Sequence, residues 1–305
     1  MIVSRSSKSD ADPFSEVLSA LGARSVRGTS LFASGSWALS FDGRERLKFV
    51  AVVRGQCCLR LPDHPPKMLT VGDVALINNT QYTVASERDV KPTDGMALYA
   101  PAGRDNVRIG SGDETIVVGG GSGFADGGGS FVMDALPPFL LIEQSSPAAA
   151  AVRATLESLR MEVSGAQLGS ALVAGRLAEI LVIAAIRAFV ATNPTTGIGW
   201  ITALADPRIG QALRLMHGDV ANRWTVPMLA SEVGMSRSAF AQRFTRRVGR
   251  SPLDYLTRWR MVLARQGLNK GQSVATVSSA VGYASQSAFS HAFKREFGRS
   301  PRSTG

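Results

Sequence analysis

Apolar side chains in the last hundred residues recur every three or four positions, and this pattern occurs twice. It predicts short helix pairs over 225–248 and 273–297, each interrupted by a glycine that permits a sharp turn. Both copies end in the same tetrapeptide, Gly-Arg-Ser-Pro. Because neither copy could bury its apolar stripe alone, the repeat predicts two helix-turn-helix units packed as one module. The inward positions of the two second helices are Phe240, Phe244 and Val248, and Phe289, Phe293 and Phe297.

Capping residues indicate two further helices around the repeat. Asp206 followed by Pro207 is typical of a helix start and predicts a support helix up to Gly218. Ser251 and Asp254 resemble a capping box that opens a helix joining the two units. A connector of roughly 16 residues spans about 24 Å, and successive major grooves lie about 34 Å apart. With the offset of the second helices themselves, the two units are expected to reach adjacent grooves of one duplex.

The first half of the chain has a different pattern, in which short apolar runs alternate with turns. Residues 30 to 145 read as short strands, which favours a β-sandwich or barrel. The glycine-rich stretch 119–129 is predicted to be a loop, since it lacks a phosphate-loop lysine. Alanine- and leucine-rich helices are predicted over 148–163 and 167–192. The second is apolar around most of its circumference, which favours a dimer interface, with ordinary intramolecular core as the alternative.

Charge is concentrated in the repeat. Residues 206–305 hold 16 lysines and arginines against 5 aspartates and glutamates, whereas residues 1–205 are nearly balanced. A charge that only kept the protein in solution would be spread along the chain. The basic excess therefore predicts a surface that faces a polyanion.

The cysteines and the apolar runs bear on location. Cys57 and Cys58 are adjacent in a predicted strand, where neighbouring side chains point to opposite faces and cannot form a good disulfide. The start of the chain has no signal-like apolar stretch, and the most apolar run, 177–191, is too short to span a bilayer. We expect a cytoplasmic protein with no membrane partner.

The repeat resembles the DNA-binding domain of the AraC/XylS family of transcription regulators over residues 206–302. The likeness is carried by residues of both units and of the connector: Leu229, Ala230, Val233, Gly234, Met235, Ser236, Phe240, Phe244, Gly249 to Pro252, Tyr255, Leu256, Arg260, Ala264, Val281, Gly282, Tyr283, Ser285 to Ser287, Phe289, Ser290, Phe293 to Arg295, Phe297, Gly298, Ser300 and Pro301. The resemblance implies that the second helix of each unit lies in a major groove. Activation is the commoner behaviour of this family, so RNA polymerase is an expected partner.

The resemblance also implies which side chains meet the DNA. Candidate base contacts are Arg237, Ser238 and Gln242 in the first unit, and Gln286, Ser287 and His291 in the second. Candidate phosphate contacts are Arg243, Arg246, Arg247, Arg250, Lys294, Arg295 and Arg299. The two serines could instead only cap or solvate their helices, and the histidine could be a surface residue without a role in DNA binding.

The first half resembles the cupin-type sensor domain found in part of this family. The likeness is carried by Val53 to Gly55, Leu59 to Leu61, Leu69 to Ile77 and Asp134 to Pro138. Enzymatic cupins hold a metal through several converging histidines and a carboxylate. This chain has three histidines, and His64 stands alone beside two prolines, so we expect no metal and no cofactor. The candidate effector pocket is lined by Trp37, Phe41, Arg44, Arg46, Arg54 and Tyr82, a mixture suited to an anionic or sugar-like molecule.

Taken together, these patterns predict a two-domain α+β protein. We expect a cupin-like β-barrel or sandwich over 12–145, a dimerising helical pair over 146–192, a linker over 193–205, and an all-α double helix-turn-helix domain over 206–305. The expected function is effector-modulated regulation of transcription at promoter DNA by a homodimer, without enzymatic activity. Two alternatives stay open: a constitutive DNA-binding regulator whose cupin-like domain only dimerises, and a cupin enzyme with a DNA-targeting tail.

Overall fold

The computed structural model describes residues 12–20, 28–101, 105–123, 129–164, 167–193 and 199–303. Contacts divide these residues into two compact units. The sheet unit comprises the described residues of 28–123 and 136–192, and the helical unit comprises 12–20, 129–135, 193 and 199–303. This division departs from the expected domain boundaries at 12–20 and 129–135, which we expected in the sensor domain, and at 193 and 199–205, which we expected in the linker.

Eleven strands are described. They are β1 (Thr29–Ala33), β2 (Ala38–Phe41), β3 (Arg46–Arg54), β4 (Gln56–Arg60), β5 (Lys67–Thr70), β6 (Val74–Asn78), β7 (Tyr82–Ala85), β8 (Thr93–Asp94), β9 (Asn106–Ile109), β10 (Thr115–Gly123) and β11 (Phe139–Ile142). One sheet has six strands in the order β11-β6-β3-β10-β1-β9, and the other has five in the order β5-β4-β7-β2-β8. The pairs β1–β9 and β2–β8 are parallel, and the other pairs are antiparallel.

The helices lie before, between and after the strands. They are α1 (Pro13–Ala20), α2 (Gly95–Tyr99), α3 (Ser130–Met133), α4 (Ala150–Ser164), α5 (Ser170–Thr192), α6 (Trp200–Ala203), α7 (Pro207–Gly218), α8 (Val226–Glu232), α9 (Arg237–Val248), α10 (Pro252–Asn269), α11 (Val274–Ala280) and α12 (Gln286–Phe297). Short 3₁₀ turns occupy Pro147–Ala149 and Pro301–Ser303. Within the part of the chain that the structure describes, no helix combines the length and the apolar content needed to cross a membrane.

The core of the sheet unit lies between the two sheets, which confirms the sandwich form of the expected fold. Val50 and Val52 of β3, in the six-stranded sheet, belong to the same buried cluster as Leu59 of β4 and Val84 of β7, in the five-stranded sheet. These residues alternate with side chains that point to the other face, as the period of a strand requires. Gly119–Gly123 belongs to β10 and pairs with β3, so the prediction of a loop from residue 119 was wrong for this part. Residues 124–128 lie outside the described residues.

The predicted helical pair is confirmed as α4 and α5, which pack on each other and contact β3, β6 and β11 of the six-stranded sheet. Ala178, Leu181 and Ala185 of α5 are buried. Leu172 and Ile180, on the same helix, are 69% and 50% exposed. The helix α5 thus has apolar side chains that the sheet unit leaves exposed.

An aromatic cluster forms the centre of the helical unit. The ring of Phe131, in α3, lies 5.5 Å from Trp200, 5.4 Å from Tyr255 and 5.7 Å from Trp259, centroid to centroid. The indole Nε1 of Trp200 also donates to the carbonyl of Phe131 at 2.8 Å. Because aromatic rings carry large apolar surfaces, these contacts explain why residues 129–135 belong to the helical unit.

A buried histidine explains the place of α1. His217 stacks on Trp259 at 4.5 Å, and its two ring nitrogens lie 2.7 Å from Tyr255 Oη and 3.2 Å from Glu16 Oε2. Burial lowers the pKa of His217, and the Glu16 carboxylate opposes that shift. Glu16 therefore joins α1 to His217 of α7, and the other ring nitrogen of His217 joins α7 to Tyr255 of α10.

Candidate nucleic-acid interface and a cavity in the sheet unit

The first helix-turn-helix consists of α8 and α9, with capping residues at both starts. Thr225 Oγ1 accepts from the amide of Met228 at 3.3 Å, and Ser236 Oγ accepts from the amide of Ala239 at 3.3 Å. Gly234 has a φ of 64°, a left-handed conformation that glycine adopts without strain. These local features place the turn and both helices where the sequence predicts them.

The support helix α7 holds this unit from behind. Asp206 caps α7 by accepting from the amides of Arg208 and Ile209, each at 3.1 Å. Arg208 in turn donates to the carbonyl of Gly234 at 2.6 Å. The same Asp206 carboxylate accepts from Arg243 of α9 at 2.9 and 3.0 Å. One buried acid thus fixes the start of α7 and the orientation of α9 together.

Hydrogen bonds at Asp206 also set its acidity. Burial alone would raise the pKa of this carboxyl, but the hydrogen bonds from the Ile209 amide and the Arg243 guanidinium outweigh burial and lower it. The group is therefore an anion at neutral pH. Its charge keeps α7 and α9 joined.

The second unit, α11 and α12, repeats the design. Ser273 and Ser285 cap its helices by accepting from the amides of Thr276 and Ala288 at 3.1 and 3.2 Å. Gly282 turns the chain with a φ of 82°, and a Cβ there would lie 2.5 Å from the carbonyl oxygen of Ala221. Backbone conformation and space both require glycine at this turn.

The repeated Gly-Arg-Ser-Pro tetrapeptide has a structural explanation. Gly249 and Gly298 end α9 and α12 in the left-handed conformation, with φ of 81° and 70°. Ser251 then stands at the N-cap of the 18-residue helix α10, with Pro252 in its first turn. The Ser251 side chain makes no capping hydrogen bond, so the prediction of a capping box was wrong. The proline and its fixed φ start this helix instead.

The six candidate base contacts are all exposed. They lie on α9 and α12, away from the buried phenylalanines: Arg237, Ser238 and Gln242 on α9, and Gln286, Ser287 and His291 on α12. Gln242 is two residues from Phe244, so on a helix it points to the opposite side. Each unit therefore presents a polar helix face that protein does not cover.

The candidate phosphate contacts separate into two groups. Arg246, Lys294, Arg295 and Arg299 are exposed, as a contact to DNA requires. Arg243 and Arg247 need correction because both lie at Asp206, and the Arg247 side chain is only 11% exposed. Arg250 is exposed but is paired with Asp134 at 3.2 Å and Asp254 at 3.4 Å. These three arginines hold the helical unit together in this structure.

Arg258, in the middle of α10, has a structural role that the sequence analysis missed. Its Nε donates to Glu296 of α12 at 2.8 Å, and its Nη1 donates to Asp134 at 2.9 Å. Burial alone would lower the pKa of Arg258, but these two carboxylates raise it. Asp134 therefore contacts two arginines. One is Arg250, beside the first helix-turn-helix unit, and the other is Arg258, which is paired with Glu296 of the second unit. The only signal of this role in the sequence was that a basic residue lies on the connector helix.

The sheet unit contains a cavity of about 500 Å³ between its sheets. Phe41, Arg46 and Tyr82, three of the residues expected in the effector pocket, are among its lining. Trp37 needs correction because it is 4% exposed and packs in the core. Arg44 and Arg54 also need correction, since they lie on the surface in ion pairs with Asp42 and Asp113. The lining that the sequence analysis missed includes Thr29, Leu31, Lys48, Val50, Val84, Met96, Tyr99, Val117 and Gly119 to Gly121.

Comparison with known proteins matches both halves of the chain. A family model described as Cupin matches residues 12–191, and one described as Helix-turn-helix domain matches residues 229–305. A protein from Streptomyces antibioticus, named as an AraC-like transcription regulator, is 40% identical over 95% of this chain and 97% of its own length. A protein of the same name from Streptomyces lividans is 38% identical over 95% and 96%.

A third relative is the HTH-type transcriptional regulator AlkR of Acinetobacter baylyi, which is 30% identical over 88% of this chain and 90% of its own length. These relatives extend over nearly the whole chain, so the likeness includes both the β-rich half and the helical repeat. This chain belongs to the AraC-like family of DNA-binding transcription regulators, with an N-terminal cupin domain and a C-terminal helix-turn-helix domain.

Proposed function

We propose that the protein reads a specific, asymmetric promoter sequence with α9 and α12, each in a major groove, and that a small molecule in the sheet unit modulates this binding. The observation that carries the DNA-reading part is the pair of exposed polar helix faces, each opposite a row of buried phenylalanines. Gln242 can pair with adenine through two hydrogen bonds. His291 takes the corresponding outward position on α12.

The test begins with a DNA site selected from random duplexes by the full chain. Gln242→Ala and His291→Ala should each weaken binding to that site by about 1–3 kcal/mol and leave binding to unrelated DNA unchanged. Gln167→Ala, an exposed glutamine of the sheet unit, is the matched control and should change neither affinity. Selection that yields no preferred sequence, with binding lost uniformly as salt rises, would contradict sequence reading.

The proposed modulation is supported by the cavity and by the course of the chain. Gly119 to Gly121 of β10 line the cavity. After the end of β10 at Gly123, the next described residues are 129–135, which belong to the helical unit and include Phe131 and Asp134. The expected transmitting segment, 193–199, lies mostly outside the described residues. Residues 129–135 are therefore the next described part of the chain after a strand that lines the cavity.

Modulation requires that the effector bind two arrangements of the protein with different affinity. Thermal unfolding of the full chain in the presence of each member of a metabolite panel should identify a compound that raises the melting temperature. That compound should change the affinity of the chain for its selected DNA site, the operator. If compounds bind but operator affinity stays constant, the constitutive alternative is correct. The enzyme alternative needs a metal site, and among the residues whose positions the structure gives, no group of three histidine, cysteine, aspartate or glutamate side chains could form one.

We also propose that α5 forms the interface of a homodimer. Leu172 and Ile180 are exposed on it, and apolar surface of this kind marks protein–protein contacts. Changing both to Glu should convert the full chain from dimer to monomer in sedimentation, whereas Glu at Val71, which is 49% exposed, should leave it dimeric. An activator role is proposed from the family alone; transcription in vitro with RNA polymerase would show it.

A further inference from the structure

Lys48 points into the cavity of the sheet unit because of its place in β3. Alternate residues of a strand share one face, and Arg46, Lys48 and Val50 all line the cavity. The next residue on the same face of this strand, Val52, belongs to the apolar core. Lys48 is thus the innermost cation of this strand face, with Arg46 nearer the exposed end.

The neighbouring strand leaves room for this side chain. Gly121 of β10 lies directly opposite Lys48 in the sheet, and a Cβ at Gly121 would lie 2.3 Å from Cδ of Lys48. Gly119 faces Val50 in the same way. Side chains at these two positions would occupy the cavity wall. The glycines of β10 therefore both open the cavity and accommodate the lysine stem.

Among the residues that the structure describes, none balances the positive charge of the cavity. Lys48 is half-buried, and its ammonium makes no hydrogen bond or ion pair with any residue that the structure describes. The described lining residues include two cations, Arg46 and Lys48, and no carboxylate. Burial lowers the pKa of Lys48, and the nearby charge of Arg46 adds to that effect. A desolvated cation is stabilised most by an anion.

We propose that this cavity binds an amphipathic carboxylate, with the acid group at Lys48 and the apolar body against Leu31, Val84 and Val117. The inference deepens the proposed effector role, on which its consequence for transcription rests. The volume of about 500 Å³ corresponds to roughly 17 waters at about 30 Å³ each. A ligand of about a dozen non-hydrogen atoms fits that space, and it lies in the usual range of ligand pockets.

The test compares three probes of equal chain length on the unmodified full chain: decanoate, decanol and decylamine. Calorimetric titration should give the order decanoate, then decanol, then decylamine, because only decanoate pairs with Lys48. In Lys48→Met, which keeps the length and apolar stem, decanoate should lose about tenfold to hundredfold in affinity, while decanol should bind as well or better. Arg44→Gln removes a cation that lies outside the cavity and is paired with Asp42, so it should leave all three affinities unchanged.

The three-probe comparison on the unmodified chain stays decisive even if Lys48→Met fails to fold. Equal affinities for decanoate and decanol, binding of neither, or full decanoate affinity in folded Lys48→Met would each overturn the inference. Gel shifts with the selected operator, on the same preparations, separate this outcome from the proposed function. Specific DNA binding without carboxylate binding refutes only the proposal about the ligand. Carboxylate binding without recognition of the selected DNA site refutes only the proposal about DNA reading.

Discussion

Replacing Asp206 with alanine should destabilise the helical unit more than any other single change of an acid on α7 to α10. The side chain has 6% of its surface exposed and serves two amides of α7 and the guanidinium of Arg243. Loss of an N-cap costs about 1 kcal/mol. Loss of one partner from a buried ion pair costs about 3–5 kcal/mol, but Arg243 is 39% exposed and can regain water. We therefore expect a total of about 3–4 kcal/mol.

Tryptophan fluorescence is a suitable assay because three of the four tryptophans, Trp200, Trp224 and Trp259, lie in the helical unit. At about 4 °C per kcal/mol, Asp206→Ala should lower the thermal midpoint by roughly 12–16 °C. Asp206→Asn keeps an acceptor for the cap and should lose about half as much. Asp254→Ala is the control, since this acid is 50% exposed and a surface pair contributes at most about 1 kcal/mol.

The pH dependence gives an independent check on the same interaction. Because the pKa of Asp206 is lowered in the folded state, its contribution is present above the ordinary value of 3.8 and is lost as pH falls through the folded pKa. The difference between wild type and Asp206→Ala should thus be constant near neutrality and shrink below about pH 4. A midpoint shift no larger than that of Asp254→Ala, or a difference that does not depend on acid pH, would refute the reasoning.

Three further changes test other parts of the structure. Lys294→Ala should reduce the slope of log affinity against log salt by about 0.9, whereas Arg160→Ala, in the sheet unit, should leave the slope unchanged; equal slopes for both would exclude a phosphate contact. Phe131→Ala should destabilise the helical unit by about 3–5 kcal/mol, and a tryptophan melting curve that coincides with wild type would contradict this. Gly282→Ala should cost about 2 kcal/mol or more in urea unfolding, while Gly218→Ala, with nothing within 4 Å, should be neutral; a neutral Gly282→Ala would remove the proposed constraint.

The helix-turn-helix units were predictable because their signals are local. Caps, turn glycines and phenylalanine spacing act over a few residues, and the structure confirms them at Ser236, Gly282 and their neighbours. The roles of Arg243 and Arg247 were not predictable in this way, because their partner Asp206 is 37 residues from Arg243 in the chain. A weaker signal was present, since both arginines flank the buried face of α9 whereas Arg246 lies opposite it.

The cavity shows how composition misled the interpretation of β10. A run of glycines normally weakens a strand, which favoured a loop over 119–129. Pairing with β3 along the whole of Gly119–Gly123 compensates, and the missing side chains make room for Lys48. The expectation that Trp37 lines the pocket was wrong for a different reason. A large aromatic residue next to a strand is as well suited to a core as to a binding pocket, and only its 4% exposure decides.

The departure of the helical unit from the expected boundary at residue 206 follows from its aromatic core. Trp259 and Tyr255 on α10 are buried, yet both pack on Phe131, and the histidine that stacks on Trp259, His217, is paired with Glu16 of α1. Neither segment has the length to show a helical period of its own. Their place follows instead from the large apolar surface that α10 would otherwise leave in water. A chain that began at residue 206 would keep every predicted DNA contact and lack part of the core that orients them.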